Sequence, residues 1–278
     1  MYCRYYGLKE PPFNVTSDPT FFFSSKKHNE ALAHLLYGVS QRKGVIALTG
    51  EVGTGKTTLC RFFLNQLGKN VKTAFILNPA LSENELLGSI LNDFGISSAD
   101  KTKLGMVLAL NNFLLSESAV GNNLVLIIDE AQNLKPDLLE QVRLLSNLET
   151  QKDKLLQVIL VGQPELNTRL NLYDLRQLRQ RIMVRYHIGP LDNDEIKDYI
   201  GYRLKIAKNP LAAQKMIYFQ DEAIALISQF SGGTPRLINM LCDRALLAGF
   251  VAESHEIDAA IINKCLAEFE SYAVGKTR

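Results

Sequence analysis

The sequence predicts an α/β fold over residues 1–190, a parallel sheet sandwiched by helices, followed by a small all-helical domain over 191–278. Three observations predict it. Short apolar runs alternate with helical patterns from Val45 to Ile188, the signature of a parallel sheet wrapped by helices. The run Leu124-Val125-Leu126-Ile127-Ile128 is apolar throughout, as a strand covered on both faces requires. After Gly189-Pro190 the pattern turns helical, and no strand is expected beyond that point.

The elements follow in order. Tyr5 to Phe13, punctuated by Pro11-Pro12, is too irregular for a helix, and Asp18-Pro19 before Phe21-Phe22-Phe23 keeps the chain extended. Such a strap can simply cover a core or can serve a ligand. Lys27 to Arg42 carries Leu32, Leu35, Leu36 and Val39 on one helical face. Val45-Ile46-Ala47-Leu48 is a strand, and Thr57 to Leu67 is a helix. Val71 to Leu77 is a strand closed by Asn78-Pro79, and Ser82 with Glu85 forms a capping box for a helix that stops at Gly95. Leu104 to Leu115 is helical, as is the stretch from Pro136 to Glu149. Leu156 to Val161 and Met183 to Ile188 complete the strands. The helical domain comprises Asp192 to Ala207, with a capping box at Asp192 and Glu195, then Asp221 to Phe230, Pro235 to Val251 and Ile257 to Tyr272.

Composition narrows the class. With 46% hydrophobic and 22% charged residues, the 278-residue chain is an ordinary globular protein. A net charge of +2 gives no strong sign of nucleic-acid binding. The four cysteines, Cys3, Cys60, Cys242 and Cys265, have no paired spacing and read as reduced thiols, Cys60 packing on its helix. No leader follows Met1, and runs such as Ala245 to Ala252 are too short to span a bilayer, so the expected location is the cytoplasm. His28, His34, His187 and His255 are scattered and read as structural.

The chemistry begins at Gly50-Glu51-Val52-Gly53-Thr54-Gly55-Lys56-Thr57, a complete phosphate-binding loop between a β-branched strand and a helix. Glycines let successive N–H groups curl around phosphates, and the following helix N-terminus adds its positive end. Lys56 is expected to reach the β- and γ-phosphates, and the Thr57 hydroxyl to bind Mg²⁺. Asp129-Glu130 closes the buried strand from Leu124, which aims both carboxylates at the crevice where phosphates lie. Asp129 then holds Mg²⁺ through water, and Glu130 orients or deprotonates the attacking water. Gln163, at the end of the next strand, either contacts the γ-phosphate or belongs to a turn set by Gly162 and Pro164. Arg176, Arg179 and Arg181 form either an exposed polar helix or a source of cations for phosphoryl transfer at a neighbouring subunit's site. Arg236 stands in the first turn of a helix, where a cation opposes the helix dipole, so a task other than helix stability is indicated.

These motifs together resemble an AAA+ ATPase of the P-loop NTPase fold. Tyr6-Gly7-Leu8 with Pro12-Phe13 and Asp18-Pro19, the run Gly50 to Cys60, Leu144 to Thr150, Gly162 to Leu166 and Pro235 to Asn239 resemble the general secretion pathway protein A group. That group includes ExeA, MshM-like pilus ATPases and ATPases of exopolysaccharide loci. The resemblance implies that Gly50 to Thr58, Thr58 included, binds ATP, with Lys56, Thr57, Asp129 and Glu130 in the roles given above. It implies that Gln163 is the first sensor and Arg236 the second, that Arg181 (or Arg179) acts across a subunit interface, and that Tyr6, Leu8 and Phe13 cover the adenine. Secretion members continue into a transmembrane helix and a peptidoglycan-binding domain. The chain is accordingly expected to be the cytoplasmic part of such a protein, at the inner face of the inner membrane, or a soluble relative.

The leading expectation is a homo-oligomeric, Mg²⁺-dependent ATPase, a ring or partial ring with sites at subunit interfaces. Its protein partner is an envelope machine: a type II secretion secretin, a pilus or a polysaccharide exporter. A DNA-associated AAA+ protein such as a transposition regulator is the alternative, opposed by the near-neutral charge. A nucleotide switch that barely turns over is a third reading, opposed by Glu130.

Overall fold

The computed structural model describes residues 1–77, 81–150, 154–212 and 217–274, with the side chains of residues 270–274 left aside. The chain divides into two units. Unit 2 comprises Lys26–Val52 and Lys56–Ile188. Unit 1 comprises Met1–Ser25, Gly53–Gly55 and Gly189–Arg278.

In chain order the elements are α1 (Tyr2–Tyr5), α2 (Lys26–Ser40), β1 (Val45–Gly50), α3 (Lys56–Gln66), β2 (Val71–Ile76), α4 (Glu83–Asp93), α5 (Lys103–Ala119) and β3 (Asn123–Ile128). They continue as α6 (Pro136–Leu145), β4 (Gln157–Gly162), α7 (Glu165–Leu170), α8 (Arg176–Arg181), β5 (Ile182–Ile188) and α9 (Asn193–Ala207). Last come β6 (Tyr218–Phe219), α10 (Asp221–Ser231), α11 (Pro235–Val251), β7 (Glu256–Ile257) and α12 (Ala259–Val274).

Unit 2 is built on a five-stranded sheet of order β2-β3-β4-β1-β5, parallel at every pairing. Strands β1, β3 and β4 are buried at every position, because helices cover both faces. Each Leu or Ile so buried contributes about 1.5–3 kcal/mol. The order matters for the site: β4 lies between β1 and β3, so three strand ends stand side by side. Local signals set the flanking helices. Ser82 and Glu85 exchange the two bonds of a capping box at α4, and Thr102 caps α5. Pro136 opens α6 in the first turn.

In unit 1, helices α9 to α12 enclose a core that includes Ile196, Ile200, Ile227, Ile238, Leu241 and Leu246. The Asp192 N–H donates to the Glu195 carboxylate at 3.1 Å, closing the expected box at α9. Among the described residues, no helix is long and apolar enough to cross a membrane. Cys60, Cys242 and Cys265 are buried free thiols, and Cys3 is half-buried.

Several expectations change. The strap does not group with the sheet. Met1–Ser25 belongs to unit 1, because Tyr6, Leu8, Phe13 and Phe21 pack into the helical core. The strap is tied there by main-chain bonds from Lys9 N–H to Ala207 O at 2.8 Å and from Asn209 N–H to Gly7 O at 3.0 Å. Ahead of the stretch read as irregular, Tyr2–Tyr5 forms a short helix, held as Tyr5 packs edge-on against Phe250 and tilted on His255. A two-residue parallel pair, β6 with β7, occurs where no strand was expected. It is too short to produce alternation in the sequence. Helix α6 ends at Leu145 instead of Glu149, since Glu149 forms an antiparallel bridge with Lys154 that draws the chain out of the helix. The Asn78-Pro79 stop of β2 lies outside the described residues.

Candidate nucleotide site

Strand register sets the site. Thr49 of β1 stands opposite Gly162 of β4, and Ile128 of β3 opposite Leu160 of β4. The loop after β1, the Asp129-Glu130 pair after β3 and Gln163 after β4 therefore leave the sheet at one edge, at the C-terminal ends of the strands. That edge is where open α/β sheets bind ligands.

The loop leaves β1 at Gly50 and enters α3 at Lys56. Gly53 and Gly55 have φ of 83° and 93°, a region that side chains disfavour. Glu51 and Val52 are exposed beside them, Thr54 is buried, and Thr58 is half-buried on the first turn of α3. The Lys56 ammonium is buried and donates to Gly50 O at 2.8 Å and to Glu51 O at 2.9 Å. Burial lowers its pKa, and the carboxylates of Glu130, Asp129 and Glu51 pull it back up. A phosphate delivered to the loop would add to that upward pull.

Asp129 is buried and accepts from the Thr57 hydroxyl at 2.6 Å and from the Glu130 N–H at 2.9 Å. Burial pushes its carboxyl above the ordinary aspartate range, and those two donors act against the push. Thr57 and Asp129 present hard oxygens side by side, a donor set that fits Mg²⁺. No group of three or more metal-ligating side chains occurs among the described residues. Mg²⁺ at nucleotide sites needs none, since phosphates and water fill most of its positions.

Glu130 has left-handed backbone, φ 51° and ψ 36°, uncommon outside glycine. Its Oε2 accepts from the Gln163 side-chain amide at 3.2 Å and from the Gln132 amide at 2.5 Å. Gln163 thus joins the acidic pair. Gln132 was missed. Its signal was a long amide two residues beyond Glu130, in a turn whose burial the sequence does not reveal.

The arginines of α8 lie elsewhere. Ile182, next to Arg181, pairs with Val45 at the start of β1, whereas the loop follows Gly50 at its end. Five residue steps separate them, about 17 Å at the usual strand rise, beyond the reach of an arginine side chain. Arg179 is exposed, and Arg181 is half-buried beside Glu149. Neither serves the loop of its own chain.

In unit 1, Arg236 is exposed at the start of α11, and its N–H donates to Gly53 O at 3.2 Å. Tyr6 and Leu8 pack into the helical core: the Tyr6 hydroxyl donates to Leu246 O at 3.2 Å and Ser254 O at 3.1 Å, and the Leu8 side chain is buried. Phe13 does line a cavity of about 580 Å³ with Pro11, Asn14, Val15, Met240 and Leu247. Asp243 and Arg244 also line it, so its walls are mixed apolar and charged. Arg203 was not foreseen either. Buried on α9, it donates to Pro12 O at 2.6 Å, Asn14 O at 3.1 Å and the Tyr199 hydroxyl at 2.9 Å, and so fixes the strap segment that walls this cavity.

This sheet order, with a phosphate loop, an acidic pair and a polar strand tip along one edge, defines a P-loop NTPase of the AAA class, and residues 39–170 match the AAA domain family. Within that class, the resemblance to the general secretion pathway protein A group is borne out. The chain is 46% identical over 258 residues to general secretion pathway protein A of Aeromonas hydrophila, covering 92% of this chain and 46% of that one. It is 26% identical over 259 residues to the Holliday junction branch migration complex subunit RuvB of Limosilactobacillus reuteri, covering 88% of this chain and 61% of that one. The chain therefore spans about half the length of the curated relatives it matches. In fold it is similar to the ORC2 protein of Aeropyrum pernix, with a TM-score of 0.70, 17% identity and coverage of 94% and 72%. It is also similar to Cdc6p of Pyrobaculum aerophilum, with a TM-score of 0.68, 18% identity and coverage of 90% and 70%.

Proposed function

We propose that this chain binds ATP with Mg²⁺ and hydrolyses it to ADP and phosphate. The observation that carries the reading is the contact chain Thr57–Asp129–Glu130–Gln163, assembled from the ends of three adjacent strands beside the buried Lys56. Loop N–H groups and Lys56 hold the phosphates. Thr57 and Asp129 would hold Mg²⁺, which when bound would supply charge neutralisation at the phosphates. Glu130 takes the proton of the attacking water, Gln163 fixes the γ-phosphate or that water, and Arg236 reports the nucleotide to the helical lid of residues 191–278.

The test is phosphate release with Mg·ATP. Lys56→Ala abolishes binding or turnover. Glu130→Gln retains ATP binding and loses turnover by about 10²–10⁴-fold, the usual worth of a general base. Turnover unchanged in Glu130→Gln refutes the hydrolytic role.

The protein works as a homo-oligomeric ring or partial ring in which Arg181, with Arg179 as second choice, reaches the neighbour's site. The 17 Å offset supports this, because such a residue acts on another subunit or not at all. Similarity to general secretion pathway protein A supports work on an envelope machine: a type II secretion secretin, a pilus or a polysaccharide exporter, from the cytoplasmic face of the inner membrane. A DNA-associated role has the similarity to RuvB behind it and the net charge of +2 against it. Tight duplex binding that collapses with salt in a gel shift favours the DNA role.

A further inference from the structure

Gln132 joins two of the three strand ends. It sits in the single turn Ala131–Asn133 after β3 and is only 8% exposed. Its Oε1 accepts the main-chain N–H of Gln163 at 3.1 Å, while its Nε2 donates to Glu130 Oε2 at 2.5 Å. The amide cannot be turned the other way. A main-chain N–H only donates, so it needs the amide oxygen, and the ionised carboxylate only accepts, so it needs the amide nitrogen. Gly162, the residue before Gln163, makes room for this bridge. A Cβ there would stand 2.9 Å from Gln132 Oε1 and 3.1 Å from the Leu166 side chain.

Both amides, those of Gln132 and Gln163, converge on Oε2 of Glu130. Oε1 of Glu130 takes no donor among the described residues, and so stays open to a water. We propose that Gln132 is a positioning residue for hydrolysis: it ties the Glu130 carboxylate to the tip of β4, so that one oxygen is anchored and the other is aimed. A shift of the β4 tip then moves Gln163 and Glu130 as one piece, and the bridge makes the catalytic base follow whatever Gln163 contacts. The inference rests on Glu130 acting as the hydrolytic base. It is local to the α/β unit and needs nothing from a neighbouring subunit.

The test uses Gln132→Met, which keeps the side-chain length and apolar packing but removes both bonds. The full chain is assayed for Mg·ATP turnover and, separately, for affinity toward a non-hydrolysable ATP analogue. Expected is a kcat lower by about 10–100-fold with analogue affinity unchanged, as a misplaced catalytic group gives. Gln163→Ala combined with Gln132→Met loses less than the product of the two single losses, because the two amides act as a unit. A Gln132→Met chain with wild-type kcat, or one whose affinity falls as far as its kcat, overturns the inference. Glu130→Gln in the same series separates the cases. If it is inactive while Gln132→Met matches wild type, only the bridge fails; if wild type itself shows no turnover, the hydrolytic reading fails with it.

Discussion

Mixing two inactive variants gives the sharpest test of the subunit-interface assignment. Arg181 stands at the start of β5, five strand steps from the end of β1 where the phosphate loop begins, about 17 Å away. Arg181→Ala therefore damages no site by its own chain's geometry, and any loss of turnover reports on a neighbour. A trans-acting arginine is worth about 10³–10⁵ in rate in phosphoryl-transfer enzymes, so the pure variant should be nearly inactive. Glu130→Gln is inactive for a different reason, having lost the base while keeping its arginine. In a 1:1 mixture assembled at random, a site works when an Arg181→Ala subunit, which keeps Glu130, faces a Glu130→Gln subunit, which keeps Arg181. Head-to-tail assembly makes that pairing in about a quarter of the sites. The mixture is thus expected to recover roughly a quarter of the wild-type rate, scaled down only by any incomplete exchange of subunits. The assay is steady-state phosphate release after co-incubation, alongside a wild-type series in which rate per subunit climbs with protein concentration. A mixture that stays as inactive as its parents, with wild-type turnover independent of concentration, refutes the assignment. Arg179→Ala run in parallel decides between the two arginines.

Two further outcomes follow from the geometry. Burial raises the Asp129 carboxyl above its ordinary value of 3.8, so the folded protein holds a proton that the unfolded chain releases. The stabilisation this gives is full below pH 3.8 and is lost as pH rises through the raised value. Asp129→Asn removes the penalty, so without nucleotide it should melt a few degrees higher than wild type at pH 7 and lose that advantage toward pH 4. A melting series in which the Asn variant is the less stable one at pH 7 contradicts this. Arg203→Met removes three hydrogen bonds from a buried cation and leaves Pro12 O and Asn14 O without their donor. A loss of about 3 kcal/mol in urea unfolding is expected, together with faster proteolysis of the strap. Unchanged unfolding and proteolysis would show that the strap is held by other means.

Most of the sheet and its phosphate chemistry could be read from the chain because both are written locally. The strand-loop-helix from Val45 to Lys56 and the apolar run ending at Asp129 require no knowledge of distant residues. Gln132 was invisible for the opposite reason: its importance comes from the main chain of Gln163, 31 residues away at the end of the neighbouring strand. The same holds for Arg203, whose partners Pro12 and Asn14 are about 190 positions earlier. The strap is a case where the pattern leaves two readings open: Tyr6, Leu8 and Phe13 lie in a segment that could cover a core or serve a ligand, and their apolar surface completes the helical core. Periodicity reports which residues want burial and is silent on where they find it.

That arrangement has a consequence during synthesis. The first 25 residues belong to the same unit as the last ninety, with residues 26–188 made in between. When the strap leaves the ribosome, its partners α9 to α12 do not yet exist. At bacterial elongation speeds of about 5–20 residues per second, Phe13 waits roughly 10–50 s for α12 to be completed. Over that interval Tyr6, Leu8, Phe13 and Phe21 form an apolar, largely aromatic segment without its partners, while the α/β unit behind them can already close. A nascent chain of this kind is a natural client for a chaperone that holds apolar segments, and its yield should depend on how fast the second half is translated.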